Sequence, residues 1–203
     1  MHADREDFLE ALASADPTPG GGSAAAHVAA CAAALVAMVA RVTIERADEP
    51  PPDLLDLVAT ADETRALLSE ATTRDARAYE AVLEALRRPR STDAERTSRR
   101  RAVQAALVVA AAVPMSVAES SAAVLRLIER LAPVARASTL SDLAVASHLA
   151  FAALSSAIVN VEVNRASIDD PEECDRLKTT GESLLDRATR QHTAALAVIE
   201  KRS

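Results

Sequence analysis

Pro17-Thr18-Pro19-Gly20-Gly21-Gly22-Ser23-Ala24-Ala25-Ala26 opens an alanine-rich run that continues to Ala40. The chain has four glycines, and three of them stand here together. Consecutive glycines open backbone angles that side chains forbid, and they let a ligand or another segment approach the main chain. Ser23 reads as a helix N-cap. A side-chain-free turn at a helix N-terminus presents unpaired N–H groups to an anion or a polar carbonyl. The same stretch also reads as a rigid turn where two helices cross closely. It is not a Walker loop, because no Lys-Ser/Thr pair follows.

The run beyond the glycines sets the fold class. Ala and Leu are strong helix formers. The segment from Ser23 to Glu45 is apolar nearly all round, the pattern of a buried helix. Ala24 to Ala40 is short for a membrane span, is rich in alanine rather than leucine, and contains His27. A core helix is expected there, and no membrane association. Over 203 residues the hydrophobic content is 49% but the aromatic content only 1%, so small side chains on closely approaching helices must build the core. That length suits one domain spanning residues 1–203. The net charge of −7 argues against a nucleic-acid partner. Cys31 and Cys174 have neither metal-ligand spacing nor a disulfide framework. Met1 to Asp7 is too polar for a signal peptide. A reduced, cytoplasmic protein is expected.

Five more helices flank this one, and no strand is legible. Asp4 to Ala13 places Phe8, Leu9 and Leu12 on one side. Pro50-Pro51-Pro52 breaks the chain. Asp53 to Arg87 carries a stripe of Leu54, Val58, Ala61, Leu68, Ala71, Val82 and Leu86 at helical spacing. Asp93 to Leu131 contains Pro114, which removes one backbone hydrogen bond and is expected to kink it. Thr139 to Asn164 follows. In the last helix Asp170 is a cap, Pro171 fits the first helical position, and Glu173 can complete a capping box. The expectation is an all-α, single-domain bundle of about six helices, several of them long.

Several side chains can carry chemistry. Asp75 lies on the stripe of the third helix, with Tyr79 one turn on. A carboxylate there is either a general acid/base or the partner of an arginine from another helix. Asp142 opens the fifth helix, where an acid also compensates the helix dipole. Asn160 and Asn164 stand one turn apart in an otherwise apolar segment. Asn160 is 18 residues beyond Asp142, which is about 27 Å along a helix. Either the two ends serve a long ligand or a second subunit completes the site. Ser23, His27 and Cys31 stack at helical spacing as a nucleophile–base set or as satisfied core residues. His148 is open to the same two readings. Arg87, Arg88, Arg90, Arg96, Arg99, Arg100 and Arg101 form a basic segment that meets a polyanionic ligand tail or is simply solvated. No His/Asp/Glu cluster has metal-ligand spacing.

Together these residues resemble the cyclodeaminase/cyclohydrolase family, which joins the cyclodeaminase half of formiminotransferase-cyclodeaminase to stand-alone methenyltetrahydrofolate cyclohydrolases. The resemblance spans nearly the whole chain. It rests on Phe8-Leu9, the glycine motif from Pro17 to Ala26, Met38-Val39-Ala40 and Thr43-Ile44. It continues through Asp75-Ala76-Arg77-Ala78-Tyr79, Pro89, Val113-Pro114, Glu119, Ser141-Asp142-Leu143 and Asn160-Val161-Glu162-Val163-Asn164. It implies an all-α homodimer with a folate site at or near the subunit interface. The implied substrate is a tetrahydrofolate derivative, with no tightly bound cofactor and no metal. The implied reaction is hydrolysis of the methenyl bridge between N5 and N10 to 10-formyltetrahydrofolate, or closure of 5-formiminotetrahydrofolate with loss of ammonia. Asp75 or Asp142 would shuttle the proton. Gly20, Gly21, Gly22, Ser23, Tyr79, Asn160 and Asn164 would bind the substrate. The chain departs from the family pattern at Ala135-Arg136-Ala137-Ser138, at Ala144, at Glu45-Arg46-Ala47-Asp48, and at His27 and His148. Two alternatives follow: a divergent enzyme for another imine or amidine, using His27 and His148 as acid/base groups, or a non-catalytic dimeric binding protein.

Overall fold

A computed structural model describes residues 3–49 and 51–203. Six α-helices account for nearly all of it: α1 (Ala3–Ala13), α2 (Gly21–Glu45), α3 (Leu54–Arg87), α4 (Asp93–Leu131), α5 (Leu140–Arg165) and α6 (Pro171–Arg202). One 3-10 turn, Ala137–Thr139, leads into α5, and no strand occurs among the described residues. Pro50 and the Met1-His2 end of the polar N-terminus lie outside the described residues.

α2 packs against α3, α4 and α5, and α6 lies along α4 and α5. Ala26, Ala29, Ala32, Ala33, Val36, Val39 and Ala40 of α2 are fully buried. An alanine methyl removes little apolar area from water, so stability comes from many close interhelical contacts rather than from large side chains. Leu57, Leu68, Leu125, Ile128, Leu131, Leu143 and Leu154 fill the remaining space. Three helical segments, Gly21–Glu45, Asp93–Leu131 and Ala137–Arg165, are long and apolar enough to cross a membrane by length and composition alone.

The structure corrects several local expectations. Ser23 is not the N-cap of α2. The helix starts at Gly21, its N-cap is Gly20, and no side chain caps it. Among the described residues no glycine has positive φ, so the glycines serve close approach rather than unusual backbone angles. Leu9 and Leu86 are exposed, while on α3 the buried stripe keeps Leu54, Ala61, Leu68 and Ala71 as expected, leaves Val58 and Val82 half-buried, and adds Leu57, Thr64, Ala78 and Ala85. The Glu173 carboxylate turns to Arg176 rather than closing a capping box, while Asp170 accepts from the N–H groups of Glu172 and Glu173 as expected. A capping box exists instead at Thr92 and Glu95, at the start of α4. α4 continues as one helix through Pro114.

Candidate active site

The first turn of α2, the middle of α3, the middle of α4 and the C-terminal half of α5 surround a cavity of about 290 Å³. That is at the lower edge of the roughly 300–1,000 Å³ common for small-molecule sites. Gly20, Gly21, Gly22, Asp75, Tyr79, Asn160 and Asn164 all line it. Pro17, Thr18, Ala78, Val82, Ala110 and Val163 complete the wall.

Asp75 is half-buried and makes no ion pair among the described residues. The arginine partner considered from the sequence is therefore replaced by a hydroxyl. Ser23 Oγ lies 2.9 Å from Asp75 Oδ2 and 3.1 Å from the Thr72 carbonyl, with one hydrogen to donate. A hydrogen bond to a charged group contributes roughly 1.5–3 kcal/mol and fixes the carboxylate rotamer. Ser23 is fully buried behind Asp75 and acts on the pocket through it. On the other side, a Cβ built on Gly22 would lie 2.2 Å from Asp75 Oδ1 and 2.6 Å from its Cγ. Only glycine leaves room for the carboxylate at that position.

Gly21 faces Asn160, whose amide atoms lie 3.7 and 3.8 Å from a built Cβ. The N–H groups of the first helical turn have no intrahelical partner, and three of the residues at this end line the cavity. Asn160 Nδ2 donates to the Ser156 carbonyl at 2.9 Å. Asn164 Nδ2 donates to the carbonyls of Asn160 and Ala110, at 3.1 and 3.0 Å. Two carboxamides, one carboxylate and the amide-bearing end of a helix thus share one pocket. Such a site can bind a planar polar heterocycle and move a proton.

Asp142, His27 and His148 are not in this pocket. Asp142 is half-buried in the first turn of α5, at the opposite end from Asn160. His27 stacks on Phe8 with ring centroids 4.8 Å apart. No hydrogen bond joins it to Ser23, whose hydroxyl is committed to α3. Cys31, the third residue of that helical stack, is exposed on α2. His148 is exposed on α5 and meets His192 edge-on at 4.9 Å. His192 in turn hydrogen-bonds the buried Ser147 Oγ at 2.8 Å and stacks on Phe151. Its pKa is held below the ordinary imidazole value by burial and, secondarily, by the charge of His148.

In the basic segment, Arg96 pairs with Asp93, Arg100 with Asp169, and Arg99 donates to the Leu86 carbonyl. Ala135 lies in a loop tied down from both sides: its carbonyl accepts from Arg202, and the Arg136 N–H donates to Thr43. Among the described residues no three His, Cys, Asp or Glu side chains converge. Sequence reasoning missed Ala110, which lines this site, and its link to Pro114 one turn further along α4. The signal was available, because a proline within a helix frees the carbonyl four residues before it.

Long helices around one small pocket, with a single fixed carboxylate and two carboxamides, define an all-helical protein with a polar pocket on the scale of a small molecule. The family model described as formiminotransferase-cyclodeaminase matches residues 4–183, and the chain belongs to that family. Methenyltetrahydrofolate cyclohydrolase from Methylorubrum extorquens is 38% identical over 81% of this chain and 80% of its own length. Formimidoyltransferase-cyclodeaminase from Mus musculus is 34% identical over 96% of the chain, which spans only 36% of that larger protein. The crystal structure of formiminotetrahydrofolate cyclodeaminase from Thermotoga maritima superposes with a TM-score of 0.86 at 27% identity, covering 97% of this chain and 95% of that one.

Proposed function

We propose that this chain hydrolyses 5,10-methenyltetrahydrofolate to 10-formyltetrahydrofolate, with Asp75 as the acid/base group. The observation that carries the reading is the Asp75 carboxylate, held between Gly22 and the Ser23 hydroxyl on the wall of a pocket that also presents Asn160 and Asn164. The cyclohydrolase relative supports this reaction over others, since it matches along most of both chains.

Asp75 takes a proton from a water molecule as its oxygen adds to the cationic methenyl carbon. The negative carboxylate also stabilises that cation before addition. The resulting tetrahedral carbon bears a hydroxyl. Asp75 returns its proton to N5 as the carbon–N5 bond breaks, the hydroxyl proton leaves to solvent, and the formyl group stays on N10. The first-turn amides of α2 donate to the pterin carbonyl, and Asn160 helps hold the ring. Tyr79 and Val82 flank it. A 390 Å³ groove lined by Ala24, Val28, Ala152 and Val159 shares Gly21 and Asn160 with the pocket and gives the rest of the substrate an apolar path.

Cyclisation of 5-formiminotetrahydrofolate with loss of ammonia is the second reading, favoured by the likeness to the Thermotoga maritima structure. Here N10 attacks the formimino carbon, Asp75 takes the proton that N10 gives up and passes it to the formimino nitrogen, and the bond from carbon to that nitrogen breaks to release ammonia. Supplying each substrate separately distinguishes the two: decay of the methenyl chromophore marks the first, and ammonia release marks the second. Neither signal above a protein-free control would remove both.

The working unit in this proposal is a homodimer in the cytoplasm. Ser141, Val145, His148, Ala152, Ser156, Val159 and Val163 are all exposed and repeat at intervals of three and four along α5. That stripe carries no carboxylate, lysine or arginine, and Val159 and Val163 on it are 63% and 68% exposed beside the pocket. A second copy packed here would shield the stripe and close the pocket mouth, and it would bring the α5 end that carries Asp142.

A further inference from the structure

Pro114 has no N–H, so the carbonyl of Ala110, four residues earlier in α4, loses its helical donor. Ala110 lines the pocket, and its carbonyl accepts from Asn164 Nδ2 at 3.0 Å. The second hydrogen of the same nitrogen goes to the Asn160 carbonyl at 3.1 Å. Both donors of Asn164 are thus spent on backbone carbonyls. A flipped amide would set its oxygen against two carbonyl oxygens, so the network fixes the assignment. Asn164 Oδ1 has no hydrogen-bond donor among the described residues, while Asn164 itself lines the pocket.

We infer that Pro114 is a positioning residue for ligand recognition: the carbonyl it frees locks the Asn164 amide so that Oδ1 faces the pocket as an obligate acceptor for an N–H donor of the bound ring. The identity of that ring as a reduced pterin, whose aminopyrimidinone edge offers such donors, rests on the proposed function. The orientation of Asn164 does not.

The two parts are tested separately. Asn160 and Asn164 are the only asparagines in the chain. Isotope-labelled asparagine therefore gives two side-chain amide signals in NMR, assigned by Asn164→Ala. The Asn164 amide protons should exchange slowly with water. Pro114→Ala restores the N–H that competes for the Ala110 carbonyl, with alanine the better helix former. Exchange at Asn164 should then speed up while the helical circular dichroism is kept. Kinetically, Pro114→Ala and Asn164→Ala should each raise KM roughly tenfold with little change in kcat, the effect of one lost hydrogen bond to the ligand. The double variant should be no worse than Asn164→Ala alone. Unchanged exchange in Pro114→Ala overturns the positioning role. Accelerated exchange with unchanged KM overturns the recognition role. A wild-type protein that turns over neither folate defeats the functional reading and the pterin assignment, while the exchange result still decides whether Pro114 orients Asn164.

Discussion

A Cβ at Gly22 would fall within 2.7 Å of three atoms of the Asp75 carboxyl group. No heavy-atom contact that short is tolerated, so Gly22→Ala must push Asp75 off its Ser23 hydrogen bond or separate α2 from α3. A catalytic group misplaced by about 1 Å costs on the order of a hundredfold in rate. Gly22→Ala should therefore keep its helical signal, melt at a lower temperature, and lose about a hundredfold in kcat while still folded. Retention of full activity would show that the carboxylate need not sit where it does. Asp75 and Gly22 were both legible in the sequence, as a carboxylate on an apolar stripe and a member of a glycine triplet. What could not be read was their contact, because they are 53 residues apart and only helix packing joins them. The histidines are chemically suggestive in sequence, yet neither lines this pocket: His27 is turned to Phe8 and His148 to His192.

At the scale of elements, the helix spans followed from periodicity and from proline punctuation, and they agree with the structure to within a residue or two. The differences lie at the ends. Ser23 has the chemistry of a cap, but Gly20 and Gly21 wind into the helix first and leave the serine free to turn to α3. Leu86 fits the helical spacing but lies at the end of α3, where no neighbouring helix covers it. The α5–α6 contact adds a titratable element that the sequence did not signal, because Ser147 and His192 meet only through packing. The pKa of His192 in the folded chain lies below its ordinary value of about 6.5. The unfolded chain therefore binds the proton more readily. The stability contributed by neutral His192 is present above about pH 6.5 and is lost as pH falls toward and through the folded pKa. Melting temperature should decline on acidification across that window, and His192→Gln should decline less steeply. Parallel declines in the two proteins would place the acid sensitivity elsewhere.

For the whole molecule, α5 poses the main question. One side of it fills the core through Leu143, Ala146, Ala150, Leu154 and Val161, while the opposite side leaves small apolar residues in water. A helix apolar on both sides belongs between two layers. The second layer is supplied by another copy in the proposed assembly. Val159→Glu, placed on that stripe, should convert a dimer to a monomer in light scattering and lower activity with it. A wild-type protein that is monomeric at micromolar concentration would refute the assembly. The fold itself needed no partner to be legible. Low aromatic content and abundant alanine already required helices in close contact, and the family likeness carried the arrangement. The exposed stripe was not legible, because apolar residues on α5 look alike in sequence whether they face the core or the solvent.

The proposed role of Asp75 is to move the proton in a folate one-carbon reaction. It is tested most directly by following loss of the methenyltetrahydrofolate chromophore with wild-type protein and with Asp75→Asn, each against a protein-free control. Hydrolysis should accelerate with the wild type and fall by roughly a hundred- to ten-thousandfold in the variant, which keeps its fold. No acceleration by the wild type, or equal rates for the two proteins, would contradict it.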